Sequence, residues 1–287
     1  MDLLTLGALG IVILTTLFIS AVVFLFWRRR RYRFSLRGLL VAFALVGCML
    51  TAWIRFAQPI VEHRWAVEQV RLSGGRFLFR ADYEAEGFPN FAHSDANHWR
   101  DVLVVDVRND QNAGAVAAQL GRMPEVEGLC FGRGVTDAGL AAICEIGSHP
   151  SLEYLNLINS RITDGGLSHL AKLKQIRLIM FNTCPIGDGG LAQLQSLPNL
   201  DTLSLVEETR NLANPNRFTE PGFAAIGGLK RLELFNAINL NVSDASARHL
   251  HNLKRLKRLR LVRCQISDEA AAALRMALPD CEIEIRD

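Results

Sequence analysis

Apolar side chains recur with a 24-residue period along the second half of the chain. The segment 152–175 has leucine or isoleucine at seven recurring positions, and the segment that follows it has apolar residues at the same spacings. The seven positions are Leu152, Leu155, Leu157, Ile162, Leu167, Leu170 and Leu173. Leu155 and Leu157 are two residues apart and therefore point to the same side of a strand, whereas the last three positions share one face of a helix. Each period therefore predicts a short strand followed by a helical turn.

An acidic residue recurs where each helix is expected to begin. It lies in the phrases VTDAGLAAI, ITDGGLSHL, IGDGGLAQL, VSDASARHL and ISDEAAAAL, and FTEPGFAAI is a degenerate copy. A carboxylate at this place is expected to cap the free N–H groups of its own helix, and the glycines that follow it allow a tight turn. These residues are predicted to be structural, not catalytic: Asp137, Asp164, Asp188, Glu220, Asp244 and Asp268.

The repeats are expected to fill residues 102–287 with about seven units. An upstream unit lacks the acidic phrase but keeps Val102, Val105 and Val107 at the strand spacing, and the alternation after Leu278 predicts a closing strand. One unit carries an insertion near residues 206–217. A single unit buries too little apolar surface to fold alone, so neighbouring units must stack.

Two apolar segments precede the repeats and predict a membrane anchor over residues 1–57. Residues 3–27 contain no ionisable side chain and are long enough to cross a bilayer. Residues 38–57 form a second, shorter candidate, and the arginine-rich stretch 28–37 separates the two. A transmembrane helical hairpin is therefore expected. A cleaved signal peptide is disfavoured because the basic residues follow the apolar segment and do not precede it.

The arginine-rich turn also predicts the topology of the anchor. Basic residues stay on the cytoplasmic side, so a hairpin sends the repeats to the outer side of the cytoplasmic membrane. If only the second segment spans, the repeats still lie outside, and if only the first spans, they lie inside. Both alternatives stay open. Residues 58–101 are expected to cap the repeats with a helix ending at Gly74 and Gly75, a strand from Arg76, and a loop.

Charge and cysteine spacing exclude several classes of function. The formal net charge is +3, but seven arginines precede Gln58 with only Asp2 opposing them, so the rest of the chain is slightly negative. A nucleic-acid partner is therefore not expected. The six cysteines form no CxxC pair, and the loop pair His93 and His98 lacks a third ligand, so neither a metal nor another cofactor is predicted.

The segments LEYLNLINSRITDGGLSHLAKL and IRLIMFNTCPIGDGGLAQLQSL carry a family resemblance. They resemble leucine-rich repeats, close to the cysteine-containing subtype, and the anchor before them is similar in arrangement to membrane-anchored leucine-rich-repeat proteins of bacteria. The resemblance implies a right-handed α/β solenoid with parallel strands on the concave side and helices on the convex side. It also implies recognition of a protein, without naming the partner.

The concave strand face is accordingly the predicted binding surface. Two columns of outward residues lie there, and the second column is unusually apolar, although β-branched residues also simply suit strands. The columns comprise Asp106, Arg108, Cys130, Asn156, Ile158, Met180, Asn182, Ser204, Val206, Asn236, Ile238, Arg260 and Val262. The leading hypothesis is a membrane-tethered, non-catalytic module that binds a protein or cell-envelope polymer. The alternatives are an envelope hydrolase using Cys130 or the histidine loop, and a purely structural spacer.

Overall fold

The computed structural model describes residues 36–79, 103–207 and 218–286, which fall into two compact units that divide between Gln69 and Val70. Several expectations lie outside the described residues. These are the first apolar segment, nearly all of the arginine-rich turn, the loop with His93 and His98, and most of the insertion. The structure therefore does not show the predicted hairpin.

The described part of the first unit is one continuous helical segment, which ends at Leu72. Helix α1 spans Leu36–Ala52, a π-helical turn spans Trp53–Ala57, and α2 spans Gln58–Leu72. The helix does not end near residue 57 as the apolar pattern suggested. The π turn lies just before Pro59, which has no N–H and whose ring crowds the preceding turn, so a widened turn accommodates it. Within the described residues, 43–72 is one helix long and apolar enough to cross a membrane.

The second unit is built on a nine-stranded sheet in sequential order. The first strand pairs antiparallel with the second, and all later neighbours are parallel. The strands are β1 (Arg76–Phe79), β2 (Leu103–Asn109), β3 (Val126–Gly134), β4 (Tyr154–Ile158), β5 (Leu178–Asn182), β6 (Thr202–Val206), β7 (Leu234–Ile238), β8 (Arg258–Val262) and β9 (Glu282–Arg286).

A helix follows each strand from β2 to β8, which gives seven strand–helix units and a final strand. The helices are α3 (Asp110–Leu120), α4 (Asp137–Cys144), α5 (Asp164–Leu167), α6 (Asp188–Gln193), α7 (Glu220–Gly227), α8 (Asp244–Leu250) and α9 (Asp268–Ala277). Helices α5 and α6 continue as 3₁₀ turns, Ser168–Lys172 and Leu194–Ser196. The second unit is thus an α/β, solenoid-like stack.

The core lies between the sheet and the helices. Leu155 and Leu157 on β4 are fully buried, as are the helical leucines Leu167 and Leu170 that follow them. Their alternation on the strand and their three-residue spacing on the helix bring both sets into one layer. Between two later units, the rings of Phe223 on α7 and Phe235 on β7 meet edge to face with centroids 6.5 Å apart. The apolar period in the sequence is therefore the period of this core.

The acidic residue of the repeated phrase begins each helix but does not cap it. The cap is the residue before it: Thr163 Oγ1 accepts from the N–H of Gly165. The carboxylate reaches forward, so that Asp137 Oδ1 accepts from the backbone N–H of Thr163 in the next unit, at 2.7 Å. The expectation that the carboxylate caps its own helix is corrected, because the residue before it occupies the cap position. In four of the six helices that begin with the acidic residue of the phrase, a hydroxyl accepts the capping hydrogen bond, that of Thr136, Thr163, Ser243 or Ser267.

This forward hydrogen bond repeats and forms a ladder between successive units. Each carboxylate accepts from the backbone N–H of the residue just before the next helix. The pairs are Asp110 to Thr136, Asp137 to Thr163, Asp164 to Gly187, Asp188 to Thr219 and Asp244 to Ser267. Glu220 is the exception: its Oε1 lies 3.2 Å from His249 Nε2. Glu220, which has the longer side chain, therefore contacts a side chain of the next helix and not the backbone N–H before it.

The glycine two residues after the acidic position makes room for the ladder. A Cβ on Gly166 would lie well inside contact distance of Asp137 Oδ1, and a Cβ on Gly190 would collide with Asp164 in the same way. By contrast, the nearest atom to a Cβ on Gly165 would be 3.6 Å away. The glycines thus serve the close approach of the preceding unit rather than the turn into their own helix.

Candidate binding surface

Strand register aligns the predicted binding residues on the sheet face that points away from the helices, here called the outer face. Asn156 pairs in register with Cys130 on one side and Met180 on the other. The first column continues through Ser204, Asn236 and Arg260 to Glu284. The second runs through Ile158, Asn182, Val206, Ile238 and Val262 to Arg286. Each column therefore crosses at least six adjacent strands.

Much of this face is buried within the chain. Asn156 has no exposed surface, and Cys130, Met180, Asn182 and Ser204 are each 5% exposed or less. Alternation along a strand determines which face a side chain occupies, but it does not determine what lies over that face. These five side chains therefore offer little surface to a partner.

A third column on the same face was missed by the sequence analysis. It passes through Gly128, Tyr154 and Leu178, which are register neighbours on β3, β4 and β5 and are all buried. The Tyr154 ring packs where a Cβ of Gly128 would lie, and its hydroxyl is 3.8 Å from Met180 Sδ. Continuing the period of two by one step toward the strand start would have identified these residues.

The predicted residues at the two ends of the sheet are more accessible. On β2, Asp106 is half-buried and forms a 3.0 Å ion pair with the exposed Arg108, and Gly132 on β3 is half-buried. Near the other end, all five predicted residues are half-buried. They are named here the C-terminal strand patch: Val206, Asn236, Ile238, Arg260 and Val262.

The C-terminal strand patch combines an apolar row with a charged row. Val206, Ile238 and Val262 are direct register neighbours, so their side chains form a continuous strip. Beside it, Arg260 Nε lies 3.2 Å from Glu284 Oε2, and Arg286 Nε lies 2.7 Å from Glu284 Oε1. Neither Glu284 nor Arg286 was among the predicted site residues. An apolar strip bordered by ionic groups is typical of a protein-binding surface.

The thiols of the described units are placed for packing rather than for attack. Burial raises the pKa of Cys144 to about 12 and that of Cys264 to about 11. Cys264 Sγ donates to the carbonyl of Ala237 at 3.3 Å, and Cys184 Sγ donates to that of Leu157. Cys130 is itself buried. Because the thiolate is the nucleophile, none of these four residues is set up for catalysis.

Metal ligands are likewise not assembled in the part of the chain that the structure describes. No group of three or more histidine, cysteine, aspartate or glutamate side chains occurs there with suitable spacing. His249 is engaged with Glu220, and His149 is buried with its ring nitrogens directed at the backbone of Leu120 and Leu152. His149 and His249 therefore form hydrogen bonds that join neighbouring parts of the stack.

Several known structures are similar to this chain. Internalin C2 of Listeria monocytogenes is 19% identical, with 62% of this chain and 76% of that chain covered and a TM-score of 0.40. A TLR13–ssRNA13 complex is 20% identical, with 61% and 23% covered and a TM-score of 0.39. A leucine-rich-repeat protein of Leptospira interrogans is 16% identical, with 61% and 56% covered and a TM-score of 0.38. TM-scores this low do not establish a shared fold.

Sequence comparison is more informative at the level of single repeats. No curated protein matches the chain as a whole at a significant level. The family model described as "Leucine Rich repeat" matches residues 148–171 and 252–274. The first match contains β4 and α5 with their buried leucines, and the second contains β8 and most of α9. The matched segments are thus single strand–helix units of the stack, and each is similar to a leucine-rich repeat.

Proposed function

We propose that this protein is a membrane-tethered leucine-rich-repeat module that binds another protein or a cell-envelope polymer without catalysis. The observation that carries the proposal is the C-terminal strand patch, where an apolar strip is bordered by ionic side chains. The strip is half-buried in the free protein, so a partner that covers it removes further apolar surface from water. Recognition is proposed to use this part of the outer face, because Cys130, Asn156 and Met180 in the middle of the sheet are buried.

The tether is proposed from the apolar helix that contains residues 43–72. Its length exceeds what a bilayer core requires, and residues such as Phe43, Leu45 and Met49 are exposed in the free protein. The arginines before it favour a cytoplasmic start, which sends the repeats to the outer side of the cytoplasmic membrane. We propose that a bacterial cell carries the protein in this orientation. Protease added to intact cells should then cut within the repeats, and full protection until lysis would contradict the orientation.

Recognition is tested by placing a photo-crosslinking residue at Ile238 of the full chain in its own membrane. A crosslinker at Met276, which is 84% exposed on α9, provides the control on a different surface. We expect a discrete adduct from position 238 and none of that species from position 276. The substitution Val262→Glu should abolish the adduct, whereas Met276→Glu should leave it intact.

The same experiment separates recognition from the two alternatives. A spacer has no partner to crosslink, so the absence of any discrete adduct at position 238 would contradict the proposal. A hydrolase would release its substrate, and its activity would survive Val262→Glu. Circular dichroism of each variant shows whether the repeats remain folded.

A further inference from the structure

The edge of the stack where helices lead into strands carries a concentration of positive charge in its last two complete units. The motifs GLKRLE and NLKRLKR begin the turns before β7 and β8. Lys230, Arg231, Lys254 and Arg255 are all exposed there and are named here the basic rim. Lys230 and Lys254 occupy equivalent positions one unit apart, as do Arg231 and Arg255. The rim is therefore a two-by-two array of cations.

The four cations are held at the surface by neighbouring polar groups. Lys230 Nζ donates to the carbonyl of Gly227 at 2.8 Å, and Lys254 Nζ donates to that of Ala277 at 3.0 Å. Both carbonyl groups belong to the last residue of a helix, and a positive charge is favoured at that end of a helix. An ammonium group has three donors, so each lysine keeps donors available for an external anion. The fold thus positions the charges without neutralising them.

Two carboxylates lie close to the rim, Glu233 and Asp280. Glu233 is 2.7 Å from Lys257 and 3.5 Å from Arg255, so a fifth cation balances it. Asp280 lines the same cavity as Lys254. Arg231 donates a 3.3 Å hydrogen bond to the neutral side-chain amide of Asn199. The rim therefore retains an excess of positive charge although the chain beyond residue 57 is slightly negative overall.

The same positions in other units do not carry this pair of charges. In place of the two lysines, the first, second and fourth units have Pro124, Pro150 and Pro198, and in place of the two arginines they have Glu125, Ser151 and Asn199. The third unit has one cation, Lys174, followed by the neutral Gln175, and the turn before β9 has Pro279 and Asp280. A lysine and an arginine together are therefore not a general requirement of the turn, and they occur only in the turns before β7 and β8.

The geometry points to an anionic lipid surface as the partner: we propose that the basic rim rests on phosphate headgroups of a bilayer. The turns of the rim contain no aromatic side chain, and binding of single-stranded nucleic acid depends on aromatic stacking. Clusters of four to eight lysines and arginines beside a membrane are attracted to anionic lipids, by about 1 kcal/mol for each basic residue near the surface. The attraction acts over about 8 Å at physiological ionic strength. This inference goes beyond the proposed recognition and does not depend on the C-terminal strand patch.

The test measures acetylation of rim lysines in the full chain, reconstituted in nanodiscs of phosphatidylcholine alone or mixed with phosphatidylglycerol. We expect acetylation of Lys230 and Lys254 to be slowed at least about threefold by the anionic lipid, and about 0.5 M salt should reverse the effect. Lys172, which is 46% exposed and paired with Glu145 on an earlier unit, is the internal control. Equal rates in the two kinds of disc would overturn the proposal.

A matched pair of variants separates the rim from general charge effects. Arg231→Ser with Arg255→Ser keeps the reporter lysines and should remove most of the protection. Arg161→Ser with Arg275→Ser removes the same charge from exposed positions elsewhere and should leave the protection unchanged. An equal loss in both variants would contradict a local site. Circular dichroism confirms that each variant is folded.

Two further arms identify the source of the anion. Glycerol phosphate or a single-stranded RNA is added to discs of phosphatidylcholine alone. Protection by glycerol phosphate would replace the lipid surface with a site for free phosphate groups, and protection by RNA would replace it with a nucleic-acid site. Either result overturns the proposal. No protection in either arm, together with protection by phosphatidylglycerol, supports it.

Discussion

The carboxylate of Asp137 accepts two hydrogen bonds from Thr163, although the two residues belong to successive units. The backbone N–H and the hydroxyl of Thr163 each lie 2.7 Å from a carboxylate oxygen. The same threonine caps its own helix through the N–H of Gly165. One threonine therefore joins the start of a helix to the preceding unit, and this joint recurs along the stack.

Removing the carboxylate should loosen the joint locally. Asp137→Ala leaves the N–H of Thr163 without its charged acceptor, at an expected cost of about 1–2 kcal/mol. The amide of Thr163 should then exchange with solvent roughly tenfold faster, because about 1.4 kcal/mol corresponds to a factor of ten. Hydrogen exchange of the full chain measures this rate. Asp268→Ala is the control, since it removes the same helix-start charge from the last helix. A similar acceleration at the start of α9 in that control would show that the helix-start charge matters, and not the joint.

Adding a methyl group at Gly166 should destabilise the same joint from the other side. The new Cβ would overlap Asp137 Oδ1, and overpacking of this kind costs about 1–3 kcal/mol. Gly165→Ala is the matched control, because its Cβ would have no atom nearer than 3.6 Å. Urea unfolding of both variants gives the difference. Combining Gly166→Ala with Asp137→Ala should cost less than the sum of the two changes, and strict additivity would show that the two residues do not interact.

The ladder should also make stability depend on pH. Hydrogen bonds from the Ser267 backbone, and then from its side chain, hold the pKa of Asp244 below its ordinary value of 3.8. A carboxyl group whose pKa is lowered by folding contributes stability above its unfolded pKa and loses it as the pH falls through the folded pKa. The stability difference between the wild type and Asp244→Asn should therefore be constant near neutral pH and shrink below about pH 4. Urea titrations between about pH 7 and 2 test this, and a difference that persists undiminished at the lowest pH would contradict it.

Sequence periodicity predicted the stacking well because the core depends on spacing alone. The positions of Leu155 and Leu157 follow directly from strand alternation. The partner of Asp137 did not follow, because a carboxylate at a helix start lies near two sets of donors, those of its own helix and those of the next unit. The first-unit member of the ladder, Asp110, was missed for a related reason, since the repeated phrase is absent there.

The candidate site was predictable in register but not in exposure. Alternation placed Asn156 and Ile238 on the same face, yet Asn156 is fully buried and Ile238 is half-buried. Burial depends on contacts between segments that are distant in sequence, and a periodic pattern does not encode them. His149 shows the same limit. It takes the place of a core leucine, and only the structure shows its ring accepting the N–H of Leu152 at 3.1 Å.

Thiol chemistry offers a test of the alternative hydrolase hypothesis. Burial raises the pKa of Cys281 to about 11, so only about a thousandth of it is thiolate at pH 8. Cys281 is half-buried whereas Cys144 and Cys264 are buried, so it should react first with iodoacetamide. All three should react far faster after denaturation. A cysteine that is alkylated in the native protein faster than free cysteine at pH 7 would revive a nucleophilic role.

The contact between Glu220 and His249 differs in kind from the rest of the ladder. The other ladder carboxylates accept from a backbone N–H of the next unit, whereas Glu220 is paired with the side chain of His249 on α8. A point mutation at His249 therefore removes this contact, but a change of side chain leaves a backbone donor in place unless the new residue is proline. The joint between α7 and α8 is thus the one in this ladder whose polar contact depends on the identity of a donor side chain.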